Sequence, residues 1–233
     1  MSQWSSFLQS SVGKKFVSGL TGLALLGFVI VHLLGNLSLF VGAEAMNIYA
    51  HTLQTLGGGY IVYLAEALLT AVFLLHIVSG LQVYFAKKKA RPVTYVVAAD
   101  AGATSKKTNS SLTMAYTGLL ILAFVIFHLY SFKFGPAEAE GYITVHNGVE
   151  MRDLYRLVVE KFKNEFYTFG YIVMMALLGW HLRHGIWSAF QSLGLTNQKT
   201  LPIFIPVATL LALALAAGFI VMPLYVYFAV VTN

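Results

Sequence analysis

Residues 21–32 read TGLALLGFVIVH and residues 117–128 read TGLLILAFVIFH, so a Thr-Gly pair twice stands eleven residues before a histidine in an uncharged apolar run. A second spacing also repeats: His76 and His181 are each followed, four residues on, by a glycine, Gly80 and Gly185. Taken in order, the chain reads as one two-helix unit used twice, with a last apolar run behind it. Singly each match is modest evidence in apolar sequence; the joint match is strong.

Around these stretches lie five apolar runs, about 16–41, 60–86, 112–134, 166–190 and 201–231. Each exceeds the roughly 20 helical residues that cross a hydrocarbon core of about 30 Å. Composition agrees: of 233 residues 58% are hydrophobic and only 10% charged, with a mean hydropathy of +0.74, where a soluble domain carries about 25% charge. The expectation is an all-α integral membrane protein of five transmembrane helices, residues 1–233 forming one domain, a four-helix bundle plus a fifth helix. The first run follows Lys14 and Lys15 and precedes Ala43–Glu44–Ala45, as a signal peptide would. It is longer than an h-region of about 7–15 residues, so it is read as retained.

The chain has no cysteine, which removes disulfides, thiolate metal sites and iron–sulfur clusters held by this chain. The net charge of +6 sits in short loops rather than along one solvated face, so it reads as a topology signal and not as a nucleic-acid surface. Alternating the loops puts Lys14, Lys15, Lys87, Lys88, Lys89, Arg91, Lys106, Lys107, Arg183 and Lys199 on one side, against Lys133, Arg152, Arg156, Lys161 and Lys163 on the other. The positive-inside rule makes the first set cytoplasmic, with the N-terminus inside and the C-terminus outside. The longest connections, roughly 87–111 and 135–165, are the places for surface structure, and Met151–Lys163 is expected to form a short amphipathic interfacial helix.

Four of the seven histidines, His32, His76, His128 and His181, fall inside four different runs. Ionisable groups at membrane depth are rare and mark function. At 1.5 Å per residue, His32 and His128 lie roughly 24 Å above the inner starts of their helices, while His76 and His181 lie roughly 22–24 Å below the outer starts of theirs. The four therefore sort into two pairs at two depths, on the order of 15 Å apart after allowing for tilt. Facing imidazoles without carboxylate or thiolate suit a bis-His haem b better than zinc, which asks for a tetrahedral set, or a di-iron site, which uses Glu. Gly22, Gly27, Gly80, Gly118 and Gly185 are placed to let a flat macrocycle, or a neighbouring helix, approach. His181 and His184 compete for one position, and Gly185 matches Gly80 only if His181 is the ligand. His184 and Arg183 are then candidates for a haem propionate.

With its His-bearing helices, its fifth helix and the stretch HLRHGIWSAFQSLGL at 181–195, the chain resembles the cytochrome b membrane-anchor subunit of succinate:quinone oxidoreductases, of the single-subunit, five-helix, two-haem type. The resemblance runs from KKFVSGLTG at 14–22 through the last helix. It implies His76 and His181 as axial ligands of a proximal haem b on the cytoplasmic side and His32 and His128 as ligands of a distal one. It also implies two cytoplasmic partners, a flavoprotein subunit with covalent FAD and an iron–sulfur subunit, no dicarboxylate chemistry on this chain, and electron transfer from succinate through both haems to a quinone, menaquinone being expected, or the reverse. The place is then a bacterial cytoplasmic membrane. Some fumarate reductase members carry a Glu two residues before the fourth haem histidine; here that position is Gly179. The loop KKKARP and Lys106–Lys107, with the N-terminal segment, is the expected docking surface for partners or for anionic lipid.

The outer segment EAMNIYAHTLQTL, 44–56, is expected to lie as an interfacial helix presenting Glu44, Asn47, His51 and Gln54 as a wall of a quinone site. Glu66, within the second run, is the alternative proton-handling group. Two other readings stay open: the cytochrome b of another respiratory dehydrogenase, and a transporter whose histidines relay protons. The latter asks for broken helices, and the first four runs contain no proline.

Overall fold

A computed structural model describes residues 3–89 and 109–230. Its long elements are helical, and four stretches are long and apolar enough to cross a membrane: Ser11–Val41, Ala43–Lys89, Thr113–Lys133 and Leu201–Val230. The fourth expected run is a helix too, Glu165–Ser192, but it is less apolar and lies inside the bundle, packed on three of the others.

The chain opens with a short helix, α1 (Gln3–Gln9), and turns at Ser10, whose hydroxyl caps the next helix by accepting from the Gly13 N–H at 3.0 Å. Helix α2 (Ser11–Asn36) is followed by one turn, α3 (Ser38–Val41), and by α4 (Ala43–Thr55), the connector helix expected from 44–56. Gly57, Gly58 and Gly59 then take φ of 60°, 69° and 85°, a conformation glycine adopts without a Cβ penalty, and the chain reverses into α5 (Tyr60–Lys89). Helix α6 (Asn109–His128) widens into a π turn, Leu129–Lys133, directly after its histidine.

A two-stranded antiparallel hairpin follows, β1 (Ile143–His146) and β2 (Val149–Arg152), with Thr144 opposite Met151. It is a small addition to an all-α fold, and it shortens the expected Met151–Lys163 helix to α7 (Leu154–Lys163), since Met151 is a buried strand residue. The physical reason is the Asn147-Gly148 turn, with φ of 49° and 79°, the two-residue geometry that matches strand twist. Asn164 caps α8 (Glu165–Ser192) by accepting from the N–H groups of Phe166 and Tyr167. Helix α9 (Leu201–Tyr225) ends in a π turn, Val226–Val230.

Helix α8 packs against α2, α6 and α9, and α2 packs against α5 as well. The closeness of α8 and α9 has a cause in side-chain size: a Cβ on Gly179 would stand 2.8 Å from the Ala216 Cβ. One core cluster, built on Leu26, Ile186, Trp187, Ala208, Ala212 and Leu215, runs between α2, α8 and α9. A second, built on Leu39, Met46, Val158, Phe162, Tyr171 and Val226, closes the other end. Meanwhile Leu64, Leu68, Ile203, Leu210 and Leu213 stand exposed on the flanks, as expected of surfaces that face lipid rather than water.

The two ends differ. At one, which we call the lysine end, Lys14 and Lys89 line the same groove beside Leu81 and Phe85. At the other, the hairpin end, α4, β2 and α7 pack together with the π turn after α9. Asn47 pins this cap: it is buried, donates from Nδ2 to the Asp153 carboxylate at 2.9 Å and accepts from the Tyr155 N–H at 2.9 Å. Arg152 adds hydrogen bonds to the carbonyls of Phe132, Gly135 and Pro136. On its surface the Glu160 carboxyl is held below the usual carboxylate range by the Tyr142 hydroxyl and by Arg156.

Candidate functional site

The histidines of α2 and α6 meet. The rings of His32 and His128 have centroids 5.8 Å apart and planes at 89°. The surroundings are aromatic: Phe28 stacks on His32 at 5.3 Å, Phe219 stands 6.0 Å from it, and Phe124 and Phe132 stand 5.8 and 5.4 Å from His128. Both rings are half-buried. Tyr171 of α8 places its hydroxyl 3.2 Å from the His128 Nδ1, and the Asn36 amide nitrogen, which donates to the His32 carbonyl at 2.8 Å, comes to 3.4 Å from the His32 Nε2. From Phe132 the aromatic contacts continue to Phe162 on α7 at 5.9 Å, so this pair sits beneath the hairpin-end cap.

Nearer the lysine end, the histidines of α5 and α8 are each received by a Thr-Gly pair. The His76 Nδ1 lies 3.2 Å from the Ser18 carbonyl and 3.4 Å from the Thr21 hydroxyl, both on α2. The His181 Nδ1 lies 3.1 Å from the Thr117 hydroxyl on α6. The glycine beside each threonine makes room: a Cβ on Gly22 would come within 3.2 Å of the His76 Cε1, and one on Gly118 within 3.5 Å of the His181 Cε1. Among the described residues no hydrogen bond or ring contact joins these two imidazoles to each other. The repeat seen in the sequence therefore has a cross-helix meaning. Each Thr-Gly pair serves the histidine of a neighbouring helix, while the histidine eleven residues on along its own helix belongs to the other pair.

His184 has a different setting from His181. It stands edge-on to Trp187 at 4.8 Å, its Nδ1 is buried without a hydrogen-bond partner among the described residues, and Lys87 and Arg183 are its charged neighbours. Arg183 itself lies over the Trp180 ring at 5.9 Å. Of the other small residues singled out, Gly27 and Gly80 face open space, and Gly185 has only the Met114 methyl at 3.9 Å.

The segment expected to wall a quinone site is placed differently from its four candidates' expected arrangement. Asn47 is committed to the cap, Glu44 is exposed and paired with His146 at 3.2 Å, Gln54 is exposed, and His51 is half-buried with its carbonyl accepting from Thr55. None of the four makes a hydrogen bond or ring contact to His32 or His128 among the described residues. It is Tyr49 of the same helix that reaches α2, its hydroxyl 2.5 Å from where a Cβ on Gly35 would stand. Glu66 is half-exposed and ion-paired with Lys133, tying α5 to the π turn after α6. Gly179 faces α9, not the histidines. Of the KKKARP stretch, Lys87–Lys89 end α5, while 90–92 and Lys106–Lys107 lie outside the described residues.

Sequence reasoning missed Tyr171, Asn36 and the aromatic walls. No spacing marks them, since they contribute from turns of helix already explained by apolar packing. Among the described residues no three of His, Asp and Glu converge as a metal site. No family model, curated protein or solved structure matches the chain.

Proposed function

We propose that this chain is a membrane-embedded cytochrome b with two haem b groups, the anchor subunit through which a succinate dehydrogenase or fumarate reductase exchanges electrons with membrane quinone. The observation that carries the reading is the pairing itself. Rings that share one metal through imidazole bonds of about 2 Å have centroids about 6 Å apart, and His32 and His128 stand at 5.8 Å. Aromatic walls and glycine clearances beside the rings suit a flat, largely apolar group. His32 and His128 would hold one haem, His76 and His181 the other, and each haem would supply a one-electron carrier.

The chain's own part in this reading is to present neutral imidazoles and to keep them oriented in an apolar interior, while the dicarboxylate chemistry lies elsewhere. That task falls to partners, a flavoprotein with covalent FAD and an iron–sulfur subunit, docked at the lysine end, which then faces the cytoplasm of a bacterial cell by the positive-inside rule. Menaquinone is the proposed quinone. Absorption spectra and haem content per chain of the purified protein test the reading. The expected result is two low-spin haems, one lost with each of His32→Ala, His76→Ala, His128→Ala and His181→Ala, and both kept with His184→Ala. A colourless protein, folded and expressed with haem available, would overturn it. Covalent flavin in the co-purifying complex distinguishes this assembly from other dehydrogenases.

A further inference from the structure

We propose that Thr21 with Gly22 and Thr117 with Gly118 are positioning residues, twin seats that fix His76 and His181 in the tautomer with hydrogen on Nδ1 and so leave Nε2 as the ligating nitrogen. The proposal rests on the haem reading for its consequence but not for its geometry. A helical threonine commonly donates its hydroxyl to the carbonyl one turn back. Thr21 does so to Val17 at 2.7 Å, and Thr117 to Thr113 and Met114, each at 3.1 Å. With that proton committed, the oxygen has only lone pairs to offer the imidazole. The Ser18 carbonyl beside His76 likewise only accepts. Both Nδ1 atoms therefore face acceptors alone, and an acceptor there is satisfied only by an N–H.

The other pair is held by groups of another kind. The Tyr171 hydroxyl at the His128 Nδ1 can donate or accept, and the Asn36 amide nitrogen near the His32 Nε2 donates. The two levels of the bundle thus differ in what sets the tautomer. The seats also differ from each other. His76 keeps the Ser18 carbonyl if Thr21 is changed, whereas Thr117 is the one hydrogen-bond partner of the His181 Nδ1 among the described residues. Conversely, the room beside His76 is tighter than that beside His181.

A ligating histidine whose other nitrogen donates to a fixed acceptor is a stronger electron donor, and loss of such a partner typically costs about 10–100-fold in metal affinity. The test uses the full-length purified protein with three readouts: haem per chain, the midpoint potential of each haem, and histidine ¹⁵N shifts in the haem-free protein. Thr117→Val is expected to weaken haem retention at that site by about 10–100-fold and to move its potential in the positive direction, leaving the other haem unchanged. Thr117→Ser is expected to restore both, and Thr21→Val to give the smaller effect. Gly22→Ala is expected to disturb its site more than Gly118→Ala. Thr209→Val removes a like back-bond, to Ile205 at 2.9 Å, and is expected to leave both haems as they are.

Should Thr117→Val retain haem at the wild-type potential, or the ¹⁵N shifts place hydrogen on Nε2 of His76 and His181, the seats are overturned while the cytochrome reading stands. Should the wild type bind no haem but show Nδ1–H at both histidines, the seats stand and the cytochrome reading falls.

Discussion

The two histidine pairs are built by opposite means. Under the hairpin-end cap, His32 and His128 meet ring to ring inside aromatic walls, and their polar neighbours are the Tyr171 hydroxyl and the Asn36 amide. Toward the lysine end, His76 and His181 lie against helix backbone cleared by glycine, with Nδ1 on threonine or carbonyl oxygen. The difference teaches that a pair can be organised either by surface, filling space around the rings, or by a few fixed acceptors. The first should answer to changes in packing and the second to changes in hydrogen bonding.

The largest test of that division removes a ring from each level. On the proposed haem reading, His128→Ala and His181→Ala are each expected to cost one of two haems, with the surviving haem spectroscopically unaltered; mixed loss would show that the levels are not separate. Next in size is the cap. Asn47→Ala strands the half-buried Tyr155 N–H and one bond to Asp153, and is expected to cost about 1–3 kcal/mol of stability, read as a lower Tm. Because Phe162 of α7 leads through Phe132 to His128, the spectrum of that haem is expected to broaden while the other stays sharp.

A smaller effect is expected from Tyr171→Phe, which keeps the ring packing on Phe124 and Phe162 and removes the hydroxyl at the His128 Nδ1. If surface organises this pair, the haem is retained and its potential moves only slightly. The smallest concerns pH. Glu160 is held below the usual carboxylate range in the fold, first by Tyr142 and then by Arg156, so its contribution is present above that range and is lost as pH falls through the lowered value. Wild type is therefore expected to exceed Glu160→Gln in Tm at neutral pH, with the gap closing on acidification and the His76–His181 level unaffected throughout.

Much of this was legible in the chain before any packing was known. Apolar run length located the helices because a membrane asks for length and apolarity above all, and the less apolar α8 was still found as the run 166–190, inside its observed Glu165–Ser192. The four histidines and both Thr-Gly pairs stood out by spacing. What spacing does not carry is which helix a side chain faces, so the Thr-Gly pairs read as parts of their own helices' motif instead of seats for a neighbour's imidazole. Asn47 shows the same limit, since a polar residue on an interfacial helix looks alike whether it awaits a ligand or pins a cap. The hairpin has a local signal, Asn147-Gly148 between alternating residues, that apolar run length does not register.

Helices α2, α6 and α8 each serve both levels: α2 through Thr21 and His32, α6 through Thr117 and His128, α8 through Tyr171 and His181. In every case the residues stand ten or eleven positions apart, about three turns of helix. No loop length enters that interval. Adding a single residue inside any one of these three stretches would swing one end by about 100° and break register, so evolution can lengthen the gap only in whole-turn steps of about 5.4 Å taken on three helices together.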